Sequence, residues 1–179
     1  AEMVRQQISH LVMEVSSHAL VQKRVAHLDF KAGVFTNLSR DHLDYHRDME
    51  NYFQAKALLF KSLAPDAIAV LNHDDPAGRR LGPESPAPVI YYGSTPTKQR
   101  AIQARGVEIN STGSSFVLLT PDDECRIELK LAGRCNVHNA LAAAACAFAL
   151  GIPLPAIASG LQAVATIPGR MEKIQLGQP

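Results

Sequence analysis

Cysteine is scarce in this sequence, and no two cysteines form a CxxC pair. The three present, Cys125, Cys135 and Cys146, make no disulfide framework, which suits a reducing compartment. An excess of charge of either sign is also lacking, since 18 Lys and Arg face 17 Asp and Glu. That removes the basic field on which nucleic-acid binding rests, and RNP-like aromatics and zinc-finger spacings are missing as well. Long apolar runs are absent. The longest, "ALAAAACAFALGIPL", is mostly alanine and falls short of the ~20 residues that a membrane span needs. No signal-peptide pattern opens the chain. These absences imply a cytoplasmic protein with no nucleic-acid partner and no membrane span.

What remains is the make-up of a globular protein, 46% apolar and 20% charged over 179 residues, enough for one domain with a sizeable core. Residues 2–9 read as the end of a helix. The short apolar runs "LVMEV" (11–15), "GVFTNL" (33–38), "AIAVLN" (67–72) and "VIYYG" (89–93) read as buried strands. Residues 49–63 are helical, with Tyr52, Phe53, Leu59, Phe60 and Leu63 on one face, and Pro65 ends that helix. From about residue 100 the pattern alternates: "IQARGVEI", "SSFVLLTP" and "CRIELKL", separated by "NSTG" and "PDDE" turns, predict an antiparallel meander. "NVHNALAAAACAFALG" (136–151) predicts a helix stopped by Gly151, with Pro153 beyond. The expected fold is α/β, a mostly parallel sheet flanked by helices with a small antiparallel sheet. The abrupt opening and close of the chain are those expected of a piece of a larger protein.

Several clusters carry chemistry. "DHLDYH" (41–46) packs two aspartates and two histidines into six positions after a strand, where parallel sheets gather ligands. It lacks the HExxH pattern and has no cysteine near it, so it reads either as a solvated loop or as part of a site. Lys56 lies in the middle of the apolar stripe of its helix. Either its ammonium snorkels to water, or burial lowers its pKa and frees the amine for covalent chemistry. Glu14, inside an apolar run, is either a satisfied acid or a ligand for a hard cation such as magnesium. Asn136 and Asn139 open a helix, as caps or as amides able to read a nucleobase edge. Arg170, in "PGRME", is either exposed or a phosphate clamp.

Taken together, "MEVSSHALVQKRV", "VFTNLSRDHLDYHRDMENYFQAK", "AVLNHDD", "NVHN" and "PGRME" resemble, in order, the Mur ligases of peptidoglycan synthesis. The likeness is to the branch that adds a third residue to UDP-N-acetylmuramoyl-L-alanyl-D-glutamate. It implies an ATP-dependent amide ligase acting through an acyl phosphate, with magnesium and ATP required, and with the UDP-muramoyl dipeptide and a diamino acid as partners. Within it, Glu14 and His42 match magnesium ligands, with Asp41 beside His42. Lys56 matches a lysine that carries a carbamate and also serves the metal, and Lys56, Asp41 and His42 form the catalytic set. Ser16, Gln22 and Arg24 match contacts to the UDP-muramoyl substrate, Asn136 and Asn139 the adenine side, and Arg170 a phosphate contact. His46 has no such match and is expected to be structural. Cys135 stands where the family more often has an aromatic residue. No GxxxxGK[ST] phosphate loop occurs in these residues. Residues 1–179 are therefore expected to be a truncated central ATP-binding domain, without the phosphate loop, the N-terminal UDP-binding domain or the C-terminal amino-acid-binding domain. Meso-diaminopimelate is the expected amino acid, with L-lysine as the alternative within the family. A metal-dependent hydrolase built on "DHLDYH" is the alternative of a different class.

Overall fold

The computed structural model describes residues 2–96, 99 and 101–168. Six strands form one sheet in sequence order: β1 (Ala32–Phe35), β2 (Ile68–Asn72), β3 (Val89–Gly93), β4 (Ala101–Ile109), β5 (Ser114–Leu119) and β6 (Glu124–Leu129). β1, β2, β3 and β4 pair in parallel, and β4, β5 and β6 are antiparallel. The meander is thus joined edge to edge with the parallel part through β4, whose first residues pair with β3 while its length runs along β5.

The helices are α1 (Glu2–Arg5), α2 (Ser17–Val21), α3 (Leu43–His46), α4 (Met49–Lys61), α5 (Pro76–Leu81), α6 (Arg134–Ala149) and α7 (Leu154–Ala163), with one 3-10 turn at Gly82–Glu84 after α5. Two cores lie on the two faces of the sheet. Phe35, Phe53, Phe60, Leu71 and Leu81 make one, under α4 and α5. Tyr92, Ile102, Phe116, Ile127, Val137 and Leu141 make the other, under α6 and α7. Alternation along β2 sends Ala69 and Leu71 to the first core and Val70 to the second, which is why this strand reads as an unbroken apolar run. Among the described residues no helix is long and apolar enough to cross a membrane.

α6 ends as the sequence predicts. Gly151 takes φ of 79°, its N–H donates to Phe148 O, and the N–H of Ile152 donates to Ala147 O. This is the six-to-one and five-to-two pattern that a left-handed glycine permits.

Residues 11–15 correct an expectation. They form neither strand nor helix, and Leu11, Val12 and Met13 are 62%, 96% and 41% exposed. An apolar run marks a segment suited to burial, but a strand also needs a partner edge for its backbone groups. Among the described residues β1, at the rim of the sheet, pairs with β2, and residues 11–15 do not add to its other edge.

Candidate functional site

The site grows from two short helices, α2 before β1 and α3 after it, that meet at α4. The Ser16 hydroxyl caps α2 by accepting from Ala19 N–H at 3.2 Å, as serine does where the first helical N–H groups have no partner. Gln22 closes the same helix, its N–H donating to the carbonyls of His18 and Leu20, and Arg24 is exposed beyond it. Asp48 caps α4, accepting from the backbone N–H of Asn51 at 2.8 Å. That fixes the register of Tyr52 and Lys56, one turn apart on one face.

Lys56 is half-buried, with Nζ 5.1 Å from the Tyr52 ring centroid. Burial pulls its pKa below the ordinary lysine value, and the carboxylates of Glu14 and Asp41 push partly back. The awkwardness inferred from the apolar stripe is therefore present, and two acids lie within electrostatic reach of the amine. Asp41 also accepts from the His42 N–H at 2.8 Å, and its other oxygen is 3.4 Å from His42 Nε2. The His42 ring stands edge-on to Tyr52 at 6.0 Å. His42 and Lys56 thus lie beside the Tyr52 ring, Glu14 and Asp41 act on Lys56 through their charge, and the pKa of the Tyr52 hydroxyl is raised by burial and by Asp41.

His46 is buried and 2.8 Å from Ser17 Oγ. Its pKa is lowered by burial and then by its neighbours His18, His42 and Lys56, with Asp44 opposing. An open cavity of about 500 Å³ borders Tyr45, His46, Arg47 and Asn51. Lys56 does not line it, but His46, which does, stacks on Tyr52 beside Lys56.

The donor set decides which metal these residues suit. Among the described residues no group of three or more His, Cys, Asp or Glu side chains converges as a metal site. A closed zinc centre needs three or four such ligands. Magnesium takes one or two carboxylates and completes its shell with water and substrate phosphates, a requirement that an exposed carboxylate such as Glu14 meets. A protonated Lys56 cannot ligate; a carbamate there would supply two further oxygens.

On the far side of the sheet, α6 begins two residues earlier than predicted. Gly133, not an asparagine, is its N-cap. Asn136 lies inside the first turn and donates from Nδ2 to Ala132 O at 2.8 Å, while Asn139 is exposed. The cap reading of Asn136 fails because the backbone turns at Gly133, with φ of 101°. Next to the pair, His138 Nε2 lies 3.9 Å from Asp74 Oδ2, which brings this turn over the carboxyl ends of β2 and β3. Arg170 lies outside the described residues.

Two features escaped the sequence reading. One is His18, whose ring touches those of His42, Tyr45 and His46. The other is the bridging role of the "NHDD" stretch, a motif visible in the sequence, where Asn72, Asp74 and Asp75 bind the loops after β1 and β3. The clustering of His and Asp was visible; which rings would meet was not.

Comparison with known proteins points the same way as the geometry. Residues 1–147 match the Mur ligase middle domain. The UDP-N-acetylmuramoyl-L-alanyl-D-glutamate--2,6-diaminopimelate ligase of Geobacter metallireducens is 46% identical over 170 residues, covering 92% of this chain and 33% of that protein. The enzyme of the same name from Geobacillus kaustophilus is 42% identical over 183 residues, covering 99% of this chain and 37% of its own length. A solved structure of a ligase of that name superposes with a TM-score of 0.80 at 32% identity, over 90% of this chain and 34% of the other. The chain spans about a third of the length of the curated relatives that it matches.

Proposed function

The chain belongs to the Mur ligase family, and on that premise we propose that it is the ATP-handling middle part of a peptidoglycan-precursor ligase. The proposed reaction joins meso-diaminopimelate to UDP-N-acetylmuramoyl-L-alanyl-D-glutamate. The choice of amino acid follows the names of its relatives. A carboxylate oxygen of the muramoyl dipeptide attacks the γ-phosphorus of ATP and ADP departs, leaving an acyl phosphate. The amine of the diamino acid then attacks the acyl carbon, phosphate leaves, and the amine gives up a proton as the amide forms. In such phosphoryl transfer the protein contributes chiefly position and charge.

Glu14, His42 and a carbamate on Lys56 are the residues proposed to hold magnesium, which when bound supplies positive charge against the phosphates. Asp41 orients His42 through its backbone and ring contacts. Ser16, Gln22 and Arg24 are proposed to meet the UDP-muramoyl substrate from α2 and the loop after it. Asn136 and Asn139 are assigned to the adenine side, and Arg170 to the phosphates.

The observation that carries this reading is the setting of Lys56, an amine pressed against Tyr52 with two acids nearby. Burial favours the neutral amine, the form that attacks the carbon of carbon dioxide; a new N–C bond forms and one proton is released. The anionic product then belongs beside a cation rather than beside bare carboxylates. In the full-length enzyme, Lys56→Ala should nearly abolish ligation, and added acetate should restore part of it by standing in for the carbamate oxygens. A full rate without acetate would overturn the assignment.

A further inference from the structure

The turn that carries His42 is held in a conformation that its own residues disfavour. His42 and Arg47, on either side of α3, have φ of 54° and 72°, a region that residues other than glycine enter only at a cost in strain. No side-chain capping bond compensates at His42. The restraint comes from neighbouring elements, and it converges on His46. That side chain is 6% exposed, Ser17 Oγ on α2 lies 2.8 Å from its Nε2, and its ring stacks on Tyr52 of α4 at 5.0 Å and 17°. His18, the next residue of α2, lies edge-on to His42 at 5.2 Å and packs on Tyr45 at 4.1 Å. α2, α3 and α4 are therefore locked together through one buried hydrogen bond and a set of packed rings.

We infer that Ser17 and His46 are a positioning pair that holds this strained turn and thereby aims His42 at the proposed magnesium. The inference rests on the reading of Glu14, His42 and Lys56 as the metal-holding group. Ser17 and His46 need not touch metal or substrate to act in this way. Loss of either partner leaves the other buried and unpaired. The turn is then free to relax towards ordinary helical φ, and the Cα–Cβ bond of His42 swings away. Packing alone would be satisfied by any ring at position 46. The pair requires a polar atom where Nε2 now lies, and a glutamine amide can reach that point and either donate or accept.

The test uses the full-length enzyme and compares Ser17→Ala, His46→Phe and His46→Gln with wild type, with Glu14→Ala and His42→Ala as references. Two readouts are taken: Mn²⁺ affinity of the ADP-loaded, non-turning enzyme by electron paramagnetic resonance, and the Mg²⁺ dependence of kcat. Ser17→Ala and His46→Phe should weaken Mn²⁺ roughly 10-fold, as loss of a residue behind a metal ligand does, with much of kcat recovered at high Mg²⁺. His46→Gln should bind Mn²⁺ nearly as the wild type does. Should His46→Phe fail to fold, Ser17→Ala, which removes a single oxygen, carries the comparison. Wild-type Mn²⁺ affinity in Ser17→Ala and His46→Phe, while Glu14→Ala and His42→Ala lose it, would overturn the pairing alone. Wild-type affinity in all four would remove the metal reading itself, and the inference with it.

Discussion

Lys56 is placed where a positive charge is poorly tolerated, and the direction of its pKa gives a stability test. Because the folded value lies below the unfolded one, the unfolded chain binds the proton more tightly. Stability from this residue is therefore lowest below its folded pKa and rises as pH climbs through that value towards the ordinary lysine value of 10.5. Replacing it by methionine should remove that slope. Urea unfolding near pH 7 should show Lys56→Met more stable by roughly 0.5–1 kcal/mol, a modest gain because the amine keeps part of its solvent. In the full-length enzyme the same substitution should lose ligation, so stability and activity move in opposite directions. A methionine variant less stable than wild type would count against the buried-amine reading. At the neighbouring positions, Glu14→Ala and His42→Ala should each cost most of the ligation rate at saturating Mg²⁺, and His46→Ala far less. A steady-state comparison that ranked His46 first would reverse these roles.

Between β2 and α5, the "NHDD" stretch acts as a junction for several elements. The Asn72 side chain donates to Thr36 O, and Asp75 accepts from Leu38 N–H and Ala77 N–H, tying the loop after β1 to the start of α5. Asp74 accepts from Ser94 N–H, Ser94 Oγ and Thr95 N–H at 2.7 to 3.0 Å, which anchors the end of β3. Burial alone would raise the carboxyl of Asp74, but these hydrogen bonds outweigh it and hold the pKa below the usual 3.8. A depressed carboxylate contributes stability above its unfolded pKa and loses it as pH falls through the folded one. Asp74→Asn should therefore cost about 1–3 kcal/mol at pH 7, and the difference from wild type should shrink below about pH 3.8 in acid titrations of unfolding. The exposed segment 11–15 offers the opposite case: Val12→Lys should change stability by less than about 0.5 kcal/mol in denaturant melts, whereas a buried strand would lose several times more. The strands at 67–72 and 89–93 and the helix at 49–61 were legible in sequence because local patterning and burial agree there. The 11–15 run misled because apolar content alone does not secure the backbone pairing that a strand needs. The start of α6 shifted because the backbone at Gly133, rather than the capping preference of asparagine, sets where the helix begins.

As a whole molecule, the chain presents a two-faced sheet with the Lys56 cluster on the α4 side and the asparagine pair on α6, across the sheet. No glycine-rich phosphate loop occurs in its 179 residues, so the nest of N–H groups and the lysine that would hold β- and γ-phosphates are missing from them. The purified 179-residue chain should therefore show no ligation above background in a coupled ADP-release assay containing both substrates. Measurable turnover would show that these residues hold phosphate by other means. The residue types of the site, their order and the resemblance to Mur ligases were determined by the sequence alone, because the chemistry of a side chain is local and the motif spacings are intact. Tertiary structure decided what no spacing contains. It joined the meander to the parallel strands through β4, left 11–15 exposed, and moved Asn136 from a cap into a helical turn. It also brought Ser17 of α2, His46 of α3 and Tyr52 of α4 into one buried contact. The physical reason is that propensity and periodicity act within about a turn or a strand, whereas pairing partners, strained φ values and the desolvation of an amine depend on residues tens of positions away.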